Sequence, residues 1–98
     1  MVNKPTIIWS SDAKKDLKNI HQFYSNQSKS YANKSVDKIF NSVAQIVFAG
    51  QYQEDEVLGL PFRRLFVNHI KIVYEVMENT ITIYGLFDTR KDPNSFLD

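Results

Sequence analysis

The chain has 98 residues, 43% of them apolar and 13% aromatic, with 12 Lys and Arg against 11 Asp and Glu for a net charge of +1. That length makes one domain, burying roughly 60–65% of its unfolded surface, so it folds near the margin of stability. The absence of cysteine excludes disulfides and thiolate metal sites, and the near-neutral charge leaves nucleic-acid contact to a local patch.

Thr6-Ile7-Ile8-Trp9 is β-branched and aromatic and reads as a short strand. Ser10, Ser11 and Asp12 are good helix N-cap types. Ala13, Leu17, Ile20 and Tyr24 then recur at spacings of four, three and four, one face of a helix that fades in the polar cluster 25–28. A second periodic run begins after Ser30. Ala32, Val36, Ile39, Phe40, Val43, Ile46 and Val47 form its apolar stripe, and Gly50 is expected just past its end as a left-handed cap. The link between the helices is short, which predicts an antiparallel hairpin.

Residues 51–61 read as a loop that contains the acidic run Glu54-Asp55-Glu56 and ends at Gly59-Leu60-Pro61. Proline cannot donate to a ladder, so a strand is expected only after it, over 62–67. Asn68-His69 can turn. Ile70, Ile72, Tyr74 and Val76 alternate with Lys71, Val73, Glu75 and Met77. Glu78-Asn79 suits a two-residue hairpin, with Asn tolerating positive φ. Ile81, Ile83, Gly85 and Phe87 then alternate with Thr80, Thr82, Tyr84, Leu86 and Asp88, which puts the first set on one face. The expected fold is α+β: an N-terminal strand, an antiparallel helical hairpin, then a three-stranded antiparallel meander, forming one twisted sheet covered by the two helices. The first strand joins the sheet away from the second, by the right-handed crossover if it pairs in parallel.

Both sheet faces are fairly apolar, so the second face is expected to meet a tail or a partner. No segment approaches the roughly 20 apolar residues of a membrane helix. The N-terminal Met1-Val2-Asn3-Lys4-Pro5 is followed by no long apolar stretch, so no signal peptide, no membrane contact and a cytoplasmic location are expected.

Arg63 and Arg64 are adjacent on a strand and so point to opposite faces. One is expected on the solvent face and the other near the helical layer or the rim. Against a binding role stands pairing with an acid such as Glu75 or Glu56. Lys71 and Glu75 share a face of the third strand, where a lysine can meet a phosphate or rest beside a cross-strand carboxylate. Arg90, flanked by Asp88 and Asp92 and followed by Lys91, ends the last strand. Its guanidinium offers a bidentate fork to an anion, or is held by the acids in a turn. His21 and His69 have no metal spacing, and no glycine-rich phosphate loop or nucleophile elbow is present, so no metal and no cofactor are expected.

Four segments carry a resemblance. They are Trp9-Ser10-Ser11-Asp12-Ala13-Lys14-Lys15-Asp16-Leu17, Gly59-Leu60-Pro61-Phe62-Arg63-Arg64-Leu65, Ile72-Val73-Tyr74-Glu75-Val76, and Ile83-Tyr84-Gly85-Leu86-Phe87-Asp88-Thr89-Arg90-Lys91-Asp92-Pro93. In this order over about ninety residues, the chain resembles the RelE/ParE superfamily of type II toxin–antitoxin toxins. The resemblance implies a growth-inhibiting toxin of a plasmid stabilization system, neutralised by a cognate antitoxin.

One branch of that superfamily cleaves messenger RNA on the ribosome. The other, ParE-like, inhibits DNA gyrase without nuclease activity. If the chain is a nuclease, the resemblance assigns Arg64, Lys71 and Arg90 to catalysis. As a target- or phosphate-binding set it implies Arg63, Arg64, Lys71, Arg90 and Lys91. The C-terminal acid–base position of the nuclease branch falls near Phe96, and a phenyl ring transfers no proton. Chain length and net charge point the same way, so the ParE-like branch is favoured, with an mRNA interferase that uses Tyr84 or His69 as the alternative. The implied partners are an antitoxin and DNA gyrase, or alternatively the ribosome and its message, with a homodimer as a further association.

Overall fold

The structure is a computed structural model and describes residues 4–47 and 49–90. Chain order gives β1 (Thr6–Trp9), α1 (Ser11–Ser25), α2 (Lys29–Ala44), a 3-10 turn (Ala49–Gln51), β2 (Arg63–Val67), β3 (Ile70–Met77) and β4 (Thr80–Asp88). The expected α+β order therefore holds. The four strands form one sheet in the order β1-β4-β3-β2. β1 runs parallel to β4, with Ile7 opposite Ile81 and Trp9 opposite Ile83, so the sheet is mixed rather than antiparallel throughout.

Both helices begin on serine caps. Ser10 Oγ accepts from the Ala13 amide at 3.0 Å, and Ser28 Oγ accepts from the Tyr31 amide at 3.2 Å. Each cap satisfies one of the donors a helix start leaves without a partner. α1 packs on β4 and β1, and α2 on β2. Between the layers, Ala13, Ile39, Val43 and Ile46 from the helical side meet Leu65, Ile72, Tyr74, Ile81, Ile83 and Leu86 from the sheet, all nearly or fully buried. Trp9 closes one side with an edge-on contact to Phe40, ring centroids 5.2 Å apart. His21 Nε2 and Asn33 Oδ1, 2.9 Å apart, link the two helices.

Three expectations need correction. α2 stops at Ala44 with Gln45 as its right-handed C-cap, and Gly50 lies in the following 3-10 turn rather than capping the helix. Ile46 reaches the core from beyond the helix end, while Phe40 and Val47 of the expected stripe are exposed. In the β3–β4 hairpin the residue with positive φ is Glu78 at +56°, not Asn79.

The third correction concerns β4. Its partner register steps from Val73↔Gly85 to Tyr74↔Ile83, so Tyr84 is the extra residue of a β-bulge. The bulge inverts the alternation. Ile81 and Ile83 face the helices, and beyond the bulge the core residue is Leu86, with Phe87 on the other face. Helix α1 compensates for the broken ladder. Ser10 Oγ donates to the Tyr84 carbonyl at 3.0 Å, and Asp16 Oδ2 accepts from the Leu86 amide at 3.1 Å. A Cβ at Gly85 would lie 2.9 Å from the Phe87 ring, so a larger residue there would have to displace that ring.

Residues 53–62 fold into a small hairpin along the free side of β2. The Asp55 amide donates to the Phe62 carbonyl at 2.9 Å and the Arg64 amide to the Gln53 carbonyl at 3.0 Å, with Glu54 bridged to Arg63. At its tip Asp55 Oδ2 accepts from the Val57 and Leu58 amides, and Gly59 takes φ +73°. Only glycine adopts that backbone freely. This strap lies over the sheet face turned away from the helices.

Candidate functional site: an acidic strap over a basic sheet face

The outer face of the sheet carries Arg64 and Phe66 on β2, Lys71, Val73 and Glu75 on β3, and Tyr84 on β4, as the register requires. Arg64 lies opposite Val73 and Lys71 opposite Phe66, so the two cations are diagonal neighbours. Both are occupied by the strap. Arg64 Nε donates to Glu56 Oε2 at 2.6 Å, and Arg64 Nη2 to Gln53 Oε1 at 3.0 Å. The guanidinium carbon stands 4.8 Å from the centroid of the Phe66 ring, within cation–π range. Lys71 Nζ donates to Glu56 Oε1 at 3.1 Å and forms an ion pair with Asp55 Oδ1.

Exposure separates these acids. The Lys71 side chain is 4% exposed and that of Asp55 0%, whereas Glu56 is 56% exposed. Lys71 is thus not a solvated lysine. It is a buried cation matched by a buried carboxylate, whose other oxygen is held by two backbone amides. The Glu56 carboxyl is held down to about 2, first by a hydrogen bond from its own backbone amide, then by Arg64, with Lys71 adding to the pull. Nearby, Tyr84 donates to Glu75 Oε1 at 3.0 Å, which pushes its phenol up, and packs edge-on against Phe62.

Arg63 points the other way, toward the helical side. Its Nη1 donates to the Tyr52 carbonyl at 3.0 Å near the fully buried Tyr74. Burial raises the Tyr74 phenol to about 12, against the opposing pull of Arg63. The two adjacent arginines therefore part across the sheet as expected, and Arg64 takes the outer face.

Arg90 lies at the opposite end of β3 from Arg63, just past the Ile70–Asp88 pair. Asp88 holds it in a fork, with Nε to Oδ1 at 3.1 Å and Nη2 to Oδ2 at 3.0 Å, and Nη2 also reaches the Tyr24 hydroxyl at 2.8 Å. Burial is the largest effect on the Tyr24 phenol and raises it. A shallow crevice between Tyr24, Tyr31, Ser35 and Val67 opens beside this contact. His69 is exposed in the β2–β3 turn, and its carbonyl accepts from the Thr89 amide and hydroxyl.

The structure thus brings Arg64 and Lys71 together through Glu56 and places Arg63 and Arg90 elsewhere. Lys91, Asp92 and Phe96 lie outside the described residues. Asp55 and Phe66 were not read from the sequence as parts of this site. For Asp55 the acidic run at 54–56 was the visible signal. Among the described residues no group of three His, Cys, Asp or Glu side chains is placed to hold a metal ion, and no helix is long and apolar enough to cross a membrane.

A helical hairpin laid on a four-stranded mixed sheet is also the fold of a chain in the chromosomal ParDE TA system from P. aeruginosa. The two superpose with a TM-score of 0.70 at 21% identity, covering 86% of this chain and 95% of that one. The family described as ParE toxin of type II toxin-antitoxin system, parDE, matches residues 7–93. The chain belongs to this ParE toxin family. A search of curated proteins gives no match.

Proposed function

We propose that this protein is the toxin of a type II toxin–antitoxin pair, that it arrests growth by binding DNA gyrase, and that a cognate antitoxin neutralises it. Family membership supports the toxin role and the antitoxin partner. The observation that favours gyrase binding over RNA cleavage is the lack, among the described residues, of an uncommitted phenol beside the basic residues. Arg64, Lys71 and Arg90, the set a nuclease would use, are each bound to a carboxylate of the same chain. A ribosomal nuclease needs its cations for phosphates and a proton donor beside them. Among the described residues the nearest phenol on that face, Tyr84, is already donating to Glu75.

The test is a gyrase supercoiling assay with purified toxin, with and without the product of the adjacent reading frame. Loss of supercoiling that the partner restores is expected. Unimpaired gyrase, together with message cleavage in primer extension after induction, would replace this reading with the interferase.

A further inference from the structure

Glu56 occupies the position of a ligand. One oxygen lies 2.6 Å from Arg64 Nε and the other 3.1 Å from Lys71 Nζ, yet the side chain is more than half exposed. The inner flank of this pair of cations is closed by Asp55, and the open flank faces water. A carboxylate bridging a guanidinium and an ammonium makes the contacts that one edge of a phosphate makes, since both offer paired anionic oxygens.

The two cations have other supports besides Glu56. Arg64 is fixed by Gln53 Oε1 and by the Phe66 ring, and Lys71 by Asp55. The strap has its own anchors as well. These are the backbone bond from Arg64 of β2 to Gln53, the Asp55–Phe62 bond that closes the strap, and the buried Asp55, none of which passes through the Glu56 side chain. With Glu56 in place the group is neutral, two cations against two carboxylates. Without it, Arg64 and Lys71 against Asp55 leave one net positive charge in a partly enclosed site.

We propose that Arg64 and Lys71 form a preorganised oxyanion-binding site and that Glu56 is a tethered internal ligand filling it. A phosphate or a foreign carboxylate enters by displacing the Glu56 side chain alone, while Asp55 keeps the strap on the sheet. Preorganisation keeps the ordering cost of that exchange small. The inference does not depend on gyrase being the target.

Inorganic phosphate is the first probe, titrated into the nitrogen-15-labelled full chain while the Arg64 Nε–Hε resonance and, in every variant, the backbone amides of Lys71 and Glu56 are followed. Glu56→Gln keeps size and exposure and removes the competing charge. It is expected to bind phosphate at least about tenfold more tightly than the unaltered chain, because a tethered competitor acts at millimolar or higher effective concentration. Adding Arg64→Ala to Glu56→Gln is expected to abolish the gain. A tetraglutamate peptide in place of phosphate separates the two sources of oxyanion, and Arg64-dependent tightening with either probe supports the site. Glu56→Ala repeats the comparison with no amide left in the cleft. Equal affinity for both probes with and without Glu56, or a gain that survives Arg64→Ala, overturns the proposal.

Discussion

Asp16 and Asp55–Glu56 fasten two parts of the chain to opposite faces of one sheet, in contrasting electrostatic settings. Asp16 reaches from α1 to a neutral donor, the Leu86 amide at the bulge. Burial outweighs that hydrogen bond and raises its carboxyl. Glu56 reaches from the strap to two cations, largely in water, and is held down to about 2. The first contact repairs a backbone defect in the fold. The second neutralises a basic patch that the fold would keep without it. A carboxylate in a short contact is therefore not by itself a sign of either stability or function; its partner's charge and its access to water decide which.

The largest effect that separates these roles is expected at Asp55. Asp55→Ala takes from Lys71 its buried carboxylate partner, leaving the well-exposed Glu56 beside it, and removes the turn acceptor for Val57 and Leu58. Losing one partner of such a pair costs about 3–5 kcal/mol, a large share of a small domain's stability. Urea unfolding midpoints measure it. Adding Lys71→Met to Asp55→Ala should recover a substantial part, because an apolar pair needs no counter-charge; a double variant no more stable than the single would show that the turn, not the ion pair, is what matters.

Asp16→Ala comes next. Leaving the Leu86 amide without an acceptor costs about 1–3 kcal/mol. Hydrogen exchange should quicken at Leu86 and leave the strap amides unchanged, while Asp16→Asn, which keeps an acceptor oxygen, should lose less. Equal acceleration at both places would erase the distinction between the two fastenings.

The smallest effect concerns pH. A carboxyl held at about 2 binds its proton less readily folded than unfolded, so Glu56 stabilises fully above about 4.5, its unfolded value, and that contribution fades as pH falls toward 2. Asp16, with its carboxyl raised, has the opposite sign and works against folding as pH rises through its titration. The groups facing Glu56 are Arg64 on β2, Lys71 on β3 and Asp55 beside it on the strap. Since Glu56 is well exposed, its share of global stability is under about 1 kcal/mol. The readout is therefore local: the Arg64 Nε–Hε resonance should shift between pH 4.5 and 2 and stay fixed above that range. A midpoint near 4.5 would show that Arg64 and Lys71 do not hold the carboxylate.

Most of the fold was legible because its elements obey one period each. Ala13, Leu17, Ile20 and Tyr24 mark a helix face, and Ile70, Ile72 and Tyr74 a strand face, without reference to anything distant. The bulge was not legible, because Phe87 continues the period of Ile81 and Ile83 in sequence. The groups that meet the backbone at the bulge, Ser10 and Asp16, lie some seventy residues earlier. The site was half legible for a similar reason. Opposite orientation of Arg63 and Arg64 follows from strand geometry, and Glu56 was a candidate partner on charge alone. Burial of Lys71 depends on the strap folding back over the sheet, and the Arg90–Tyr24 contact joins residues 66 apart. Neither leaves a local pattern.

The strap's backbone bonds to β2 have a consequence for assembly. Sheets polymerise through strands that offer unclaimed amides and carbonyls. Here one border is hemmed by the chain's own hairpin, whose bonds run through Asp55 and Arg64. Among the described residues the other border is β1, a strand of four residues. The sheet therefore has a polarity. Lateral growth is hindered at the Arg63–Arg64 end of β2 and has a single short seam on the other side, so copies that pair along the whole of β2 would first have to strip the strap from it.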